Sequence, residues 1–166
     1  GDLITFAAFN SVTGATVPLN YRWKVSPETA KITSGQGTSA ITVDTSRLPE
    51  NLVVDLDRKA MPYALRNLLR NAFKYARQQI VVSASLEDGR AVINVDDDGI
   101  GIPPEDRENV FSAFTRLDRS RDRATGGYGL GLAITRRVLE LHGGTATADA
   151  APLGGARFTL AWQVRQ

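Results

Sequence analysis

Two glycine clusters, about two dozen residues apart, constrain this chain more than any other feature. The first lies in Val95-Asp96-Asp97-Asp98-Gly99-Ile100-Gly101-Ile102-Pro103, where a β-like run ends in carboxylates. The second, Gly126-Gly127-Tyr128-Gly129-Leu130-Gly131-Leu132, opens a helical pattern. Glycine at this density lets the backbone pass close to a neighbour, because no Cβ intervenes. Such clusters read either as plain turns or as walls of a ligand site. Other parts of the chain must decide between the two.

Around them, hydrophobic period assigns the elements. Residues 2–9 space Leu3, Phe6 and Ala7 on one face of a short helix that stops at residues 10–14. Residues 19–25 alternate like a strand broken by Ser26-Pro27, residues 34–38 read as a loop, and residues 40–44 as a strand. A further strand is expected at residues 52–56. Asp57 is placed to cap a helix reaching about residue 76, with Pro62 in its first turns, where a missing N–H is tolerated. Met61, Ala64, Leu65, Leu68, Leu69, Ala72 and Phe73 form its apolar arc; Arg66, Arg70 and Arg77 take one flank, and Asn67, Asn71 and Lys74 the other. Strands follow at residues 80–86 and 91–95 around a hairpin turn, then a short helix at residues 103–113. A helix at residues 130–141 closes on His142-Gly143-Gly144, and residues 145–149 and 157–164 read as strands. This order predicts an α+β fold, a two-layer α/β sandwich with a mixed sheet and helices on one face.

Three groups can carry chemistry. Asn67, Asn71, Lys74 and Tyr75 make a polar stripe beside an apolar arc. It reads as a solvated helix edge or as a site where Asn oxygens meet Mg²⁺ and a Lys meets phosphate. Asp97, at the end of a strand, can accept a hydrogen bond from an exocyclic amine while Gly99 and Gly101 admit a flat base; Asp96 and Asp98 are expected to face solvent. The second glycine cluster begins a helix, whose free N–H groups and positive dipole end suit an anion. It lacks the Gly-Lys-Ser/Thr of a P-loop and the dinucleotide-binding spacing.

Composition removes several alternatives. The chain has no Cys and one His, His142, so thiolate chemistry, His triads and multi-His metal sites are out. A net charge of +2 over 166 residues gives no case for nucleic acid, although four Arg fall within residues 116–123, as a solvated loop or an anion contact. No run approaches the about 18 apolar residues of a membrane helix. The start at Gly1-Asp2, without Met, leads us to expect a fragment of a larger, membrane-anchored parent.

Together these residues carry a resemblance. Asn67-Leu68-Leu69-Arg70-Asn71-Ala72-Phe73-Lys74-Tyr75 resembles the N box of bacterial sensor histidine kinases, and Asp97-Asp98-Gly99-Ile100-Gly101-Ile102-Pro103 their G1 box. Val110-Phe111-Ser112-Ala113-Phe114-Thr115-Arg116 is similar to the F box, and Gly127-Tyr128-Gly129-Leu130-Gly131-Leu132-Ala133-Ile134 to the G2 box. Gly154-Gly155-Ala156-Arg157-Phe158 is similar to the last glycine motif, so the resemblance spans residues 57–162. It implies the Bergerat sandwich of the GHKL superfamily, binding ATP with Mg²⁺. On that resemblance Asn71 holds Mg²⁺, Asn67 lies beside the γ-phosphate, and Lys74 and Tyr75 contact phosphate and nucleotide. Asp97 accepts from the adenine amino group, Gly99, Gly101 and Ile102 line the base, and Gly127, Tyr128, Gly129, Leu130, Gly131 and Leu132 cradle the phosphates. Arg116 and Arg121 are the lid candidates for the transferring phosphoryl group.

The departures matter as well. No phosphoacceptor His on a dimerisation helix is present; His142, in Leu141-His142-Gly143-Gly144, matches a structural helix end. Tyr128 replaces a small residue between glycines, and residues 10–40 read as strands where the family has a helix. We expect residues 1–38 to hold the end of a dimerisation helix and a linker, and residues 39–166 the catalytic ATP-binding domain. Implied partners are the parent's own His-bearing dimerisation domain, in a homodimer, and a cognate response regulator, with the domain cytoplasmic. Rival readings on the same fold are a non-catalytic nucleotide-binding or protein-interaction module and an anti-sigma-type serine kinase. A gyrase- or chaperone-type ATPase ranks lower, because Asn67 stands where that branch carries a Glu base.

Overall fold

A computed structural model describes residues 30–32, 40–49, 52, 54, 56–57, 59–115 and 129–164. Six strands form one mixed sheet: β1 (Ala30–Ile32), β2 (Ala40–Arg47), β3 (Gln79–Glu87), β4 (Arg90–Asp97), β5 (Thr145–Ala150) and β6 (Ala156–Gln163). Their spatial order is β1-β2-β3-β4-β6-β5, with β2 and β3 parallel and every other pair antiparallel. Parallel neighbours need a long crossover, and α1 (Ala60–Tyr75) supplies it. The second helix, α2 (Gly131–Leu141), lies between β4 and β5 in the chain and packs on α1, β5 and β6. This is the expected two-layer α+β sandwich.

Local chemistry explains why these segments end where they do. Asp57 Oδ1 accepts from the amides of Lys59 and Ala60, each at 2.7 Å, and its carbonyl accepts from Met61. It therefore caps α1 as expected, and those amides hold its carboxyl below the usual carboxylate range. Asp88 and Gly89, at φ 49° and 74°, make the tight β3–β4 turn. α2 ends in a Schellman motif: Gly143 has φ 64°, Gly144 N–H reaches Leu139 O and Gly143 N–H reaches Glu140 O.

The core lies between helices and sheet. Met61, Ala64, Leu65, Leu68 and Ala72 from α1 meet Val138 and Leu139 from α2, above Ile80, Val95, Phe158, Leu160 and Trp162. Removing a side chain such as Leu68 from water contributes about 1.5–3 kcal/mol. The opposite sheet face carries a polar row, in which Thr159 Oγ1 donates to Asn94 Oδ1 at 2.7 Å and Asn94 Nδ2 to Ser83 Oγ.

Several expectations change. Phe73, assigned to the apolar arc, is 43% exposed beside a fully buried Ala72, so the buried arc is narrower in the last turns of α1 than the period alone implies. Residues 52, 54 and 56 lie in no strand, and the short helix of residues 103–113 is two separate 3₁₀ turns, Pro104–Asp106 and Asn109–Phe111. The readings of residues 2–25 and 34–38 fall outside the described residues.

Candidate functional site

The N-box stripe sits on the α2-facing and outer sides of α1. Asn67 is buried, and its Nδ2 donates to the Gly131 carbonyl at 3.1 Å. A Cβ on Gly131 would stand 3.4 Å from the Asn67 carboxamide, an ordinary van der Waals contact, so the first turn of α2 lies directly against Asn67. Thr135 Oγ1, fully buried, lies 3.0 Å from Gly131 O and 3.3 Å from Ala64 O, completing the polar seam between the helices. One turn along, Asn71 is half-buried, and its side chain makes no hydrogen bond among the described residues. Lys74, exposed, donates to Tyr75 Oη at 3.0 Å and lies 4.7 Å over the Tyr75 ring.

Asp97 closes β4 with 2% exposure. Its Oδ1 accepts from both Gly99 N at 2.8 Å and Ala156 N at 3.1 Å, whereas Oδ2 has no partner among the described residues. Burial pushes this carboxyl above the usual range; the two amides oppose that only in part, and Asp98 and Asp96 add to it. A buried acceptor with one committed and one uncommitted oxygen suits a ligand N–H donor.

The first glycine cluster is required largely by protein contacts. A Cβ on Gly99 would lie 2.3 Å from the Tyr75 carbonyl, so this glycine seats the loop after β4 on the end of α1. Gly101 bends the loop at φ 72° and faces the Gly155 carbonyl. Ile102 is half-buried against the core, and Ile100 is 72% exposed.

Asp96, expected to face solvent, is buried instead, whereas Asp98 is only partly buried. Asp96 is paired with Arg157 through two 2.7 Å bonds. Asp98 accepts from the amides of Arg77 and Gln78 at 2.8–3.1 Å, clamping the α1–β3 connection. Burial raises its pKa, but the amides of Gln78, Gln79 and Arg77 outweigh that and leave it below the usual range.

At the other end, the N-cap residue of α2, Leu130, makes no side-chain cap among the described residues, and a helix start of this kind presents first-turn amides that suit an anion. Gly129, at φ 69°, receives the Phe114 N–H on its carbonyl, which brings the F box beside the G2 box; Leu130 and Leu132 flank the turn. Phe111 is buried edge-on against Phe158, with Arg136 stacked over it and bonded to Glu108. Arg116, Arg121, Gly127 and Tyr128 lie outside the described residues.

His142 has the structural place expected of it. Its Nε2 accepts from the Asp57 amide at 2.9 Å and its Nδ1 lies 2.7 Å from Val138 O. The first contact requires an unprotonated Nε2, so the proton sits on Nδ1, and the ring ties the end of α2 to the cap of α1. What the residue reading missed is the part of Gly155 and Ala156 in enclosing Asp97. A Cβ on Gly155 would meet Asp97 Oδ1 at 2.3 Å and Gly99 N at 2.4 Å. The signal was present as the Gly154-Gly155 pair before the last strand.

Comparison with known proteins fits this geometry. Residues 56–166 match the family model described as histidine kinase-, DNA gyrase B-, and HSP90-like ATPase. The sensor histidine kinase CpxA of Escherichia coli is 36% identical over 151 residues, covering 91% of this chain and 33% of CpxA. The structure of the mycobacterial sensor histidine kinase MprB aligns at TM-score 0.59 and 33% identity, over 68% of this chain and 75% of that one. Full-length ShkA in complex with AMPPNP aligns at TM-score 0.62 and 30% identity, over 75% of this chain and 26% of ShkA. The chain spans 28–33% of the length of the curated relatives that it matches first. A buried carboxylate at the end of β4, an Asn-lined helix and a helix start without a side-chain cap among the described residues, in this family frame, lead to one conclusion: the chain belongs to the histidine kinase-, DNA gyrase B- and HSP90-like ATPase family, as the ATP-binding domain of a sensor histidine kinase.

Proposed function

We propose that this domain binds Mg·ATP and, in its parent protein, donates the γ-phosphoryl group to a histidine on a dimerisation domain, for relay to a response regulator. The observation that carries the reading is Asp97: two protein amides occupy Oδ1, leaving Oδ2 for the adenine amino group. Gly129, Leu130, Gly131 and Leu132 are assigned to the phosphates, as are Gly127 and Tyr128 on the sequence alone, with Lys74 and Tyr75 contacting phosphate and nucleotide. Asn67 aligns that turn through Gly131. Arg116 and Arg121 are assigned to the γ-phosphoryl. In this division of labour catalysis is positioning and charge neutralisation.

Mg²⁺ fits the residues present. Among the described residues no group of three or more His, Asp or Glu side chains could hold a metal unaided. Asn71 offers a neutral oxygen on the same helix face as Asn67, and Mg²⁺ is commonly held by few protein ligands together with substrate phosphates. Asn71 would hold the ion, which when bound neutralises phosphate charge.

The same reading makes residues 39–166 the catalytic domain and residues 1–38 the end of a dimerisation helix plus a linker, whose strand β1 pairs with β2 at the edge of the sheet. The parent is then a membrane-anchored homodimer, with this domain in the cytoplasm. Both ring nitrogens of His142 are engaged, so the phosphoacceptor belongs to another domain. Calorimetry of the 166-residue chain with ADP tests the binding; affinity strengthened by Mg²⁺ is expected, and no binding at millimolar nucleotide refutes it. Phosphoryl transfer in trans to a dimerisation domain, rather than to serine substrates or to none, tests the chemistry.

A further inference from the structure

We propose that Arg107 is a positioning residue for base recognition, acting through the Ile102 carbonyl and anchored to the sheet by a row of alternating charges. The inference rests on the nucleotide-binding reading above. The row starts next to the base-end carboxylate. Asp96 follows the strand alternation to the sheet face opposite Asp97 and is 4% exposed. The register sets Arg157 opposite Asp96 on β4 and opposite Asp149 on β5. Arg157 pairs bidentately with Asp96, and this bond, strengthened by the nearby charges of Asp96, Asp149 and Glu87 and opposed by burial, raises its pKa.

Asp149 Oδ1 in turn takes the Arg107 Nη1 and the Ala150 amide. Arg107 leaves the sheet here: its Nε donates to the Ile102 carbonyl at 3.4 Å. Among the described residues this is the only hydrogen bond that the Ile102 carbonyl makes. Charges thus alternate from Asp96 through Arg157 and Asp149 to Arg107, and the last one holds the backbone of a residue assigned to the base wall. The Arg107 bond adds to the seat of Gly99 on α1 and the packing of Ile102 on the core, and acts on the carbonyl that neither of those fixes. A guanidinium suits the task, since its planar fork serves a carboxylate and a carbonyl together, whereas an ammonium is a point charge.

The test compares ADP with GDP on the 166-residue chain, by displacement of a fluorescent nucleotide, in Arg107→Leu, Arg107→Lys and Asp149→Asn. Because the tie consists of a partly exposed ion pair and a long hydrogen bond, the ADP-over-GDP preference should narrow about three- to tenfold in all of them. A purely structural role would weaken both nucleotides equally and leave their ratio at the wild-type value, and that result overturns the proposal. Restoration of the ratio by Arg107→Lys also overturns it, because charge alone would then suffice. Asp149→Asn keeps the Arg107 side chain, so it reads the same tie if an Arg107 variant folds poorly. A wild-type chain that binds no ADP refutes the nucleotide reading itself, and this inference falls with it.

Discussion

Replacing Asp97 by Asn should separate folding from nucleotide recognition. The Asn Oδ1 can still accept from Gly99 N and Ala156 N, so the loop frame is kept. Burial raises the Asp97 pKa above its unfolded value of 3.8, so the native state binds this proton more tightly than the unfolded chain does. Stability from this group therefore falls as pH rises from 3.8 through the raised value, above which the ionised carboxylate opposes folding. A neutral amide removes that penalty, and the variant should melt at the wild-type temperature or higher at pH 7.

Binding should move the other way. The second oxygen becomes an NH₂ donor facing the base amino group. Losing a hydrogen bond to a charged acceptor costs about 1.5–3 kcal/mol, and stranding a buried donor about 1–3 kcal/mol more. ADP affinity should fall about a hundredfold or more. Calorimetry with ADP, beside thermal unfolding followed by circular dichroism between pH 5 and 8, measures both arms. Unchanged ADP affinity, or a melting temperature clearly below wild type at pH 7, would refute the reasoning. In the wild type, binding should also weaken as pH drops through the raised pKa, a dependence that the Asn variant lacks.

Other residues give sharper local tests. Asp98→Ala strands the Arg77 and Gln78 amides and should lower stability by about 1 kcal/mol in urea unfolding, since the carboxylate is only partly buried. The depressed Asp98 pKa puts its contribution above 3.8, to be lost as pH falls through the lower native value. Gly155→Ala drives a methyl into Asp97 and Gly99, so a loss of about 1–3 kcal/mol should accompany weaker ADP binding; a neutral effect on both would show that the turn simply moves. His142→Phe removes the acceptor for the Asp57 amide, whose hydrogen exchange should quicken while amides in the middle of α1 keep their protection.

Much of the fold could be read from sequence because its signals are local. The 3.6-residue period of α1, the alternation of β6, the Asp-Gly turn at Asp88-Gly89 and the Gly143 cap each depend on residues within a few positions of one another. The order of motifs then assigned the family. Local signals failed where distant chain determines the environment. Phe73 fits the α1 period, yet its side chain is 43% exposed, since burial depends on what packs against it in space.

Base-end carboxylates show the division most clearly. Asp96, Asp97 and Asp98 are identical in sequence chemistry and adjacent, and the residue pattern singled out Asp97 alone as an acceptor. Only the tertiary structure gave the other two their work. Arg157, 61 residues away, neutralises Asp96; Ala156, 59 residues away, fixes Asp97; and amides some 20 residues earlier clamp Asp98. The amino-acid sequence by itself determined which elements form and which nucleotide chemistry they can offer. Strand register and loop closure decided which carboxylate keeps a free oxygen, because burial and hydrogen-bond partners are properties of neighbours in space.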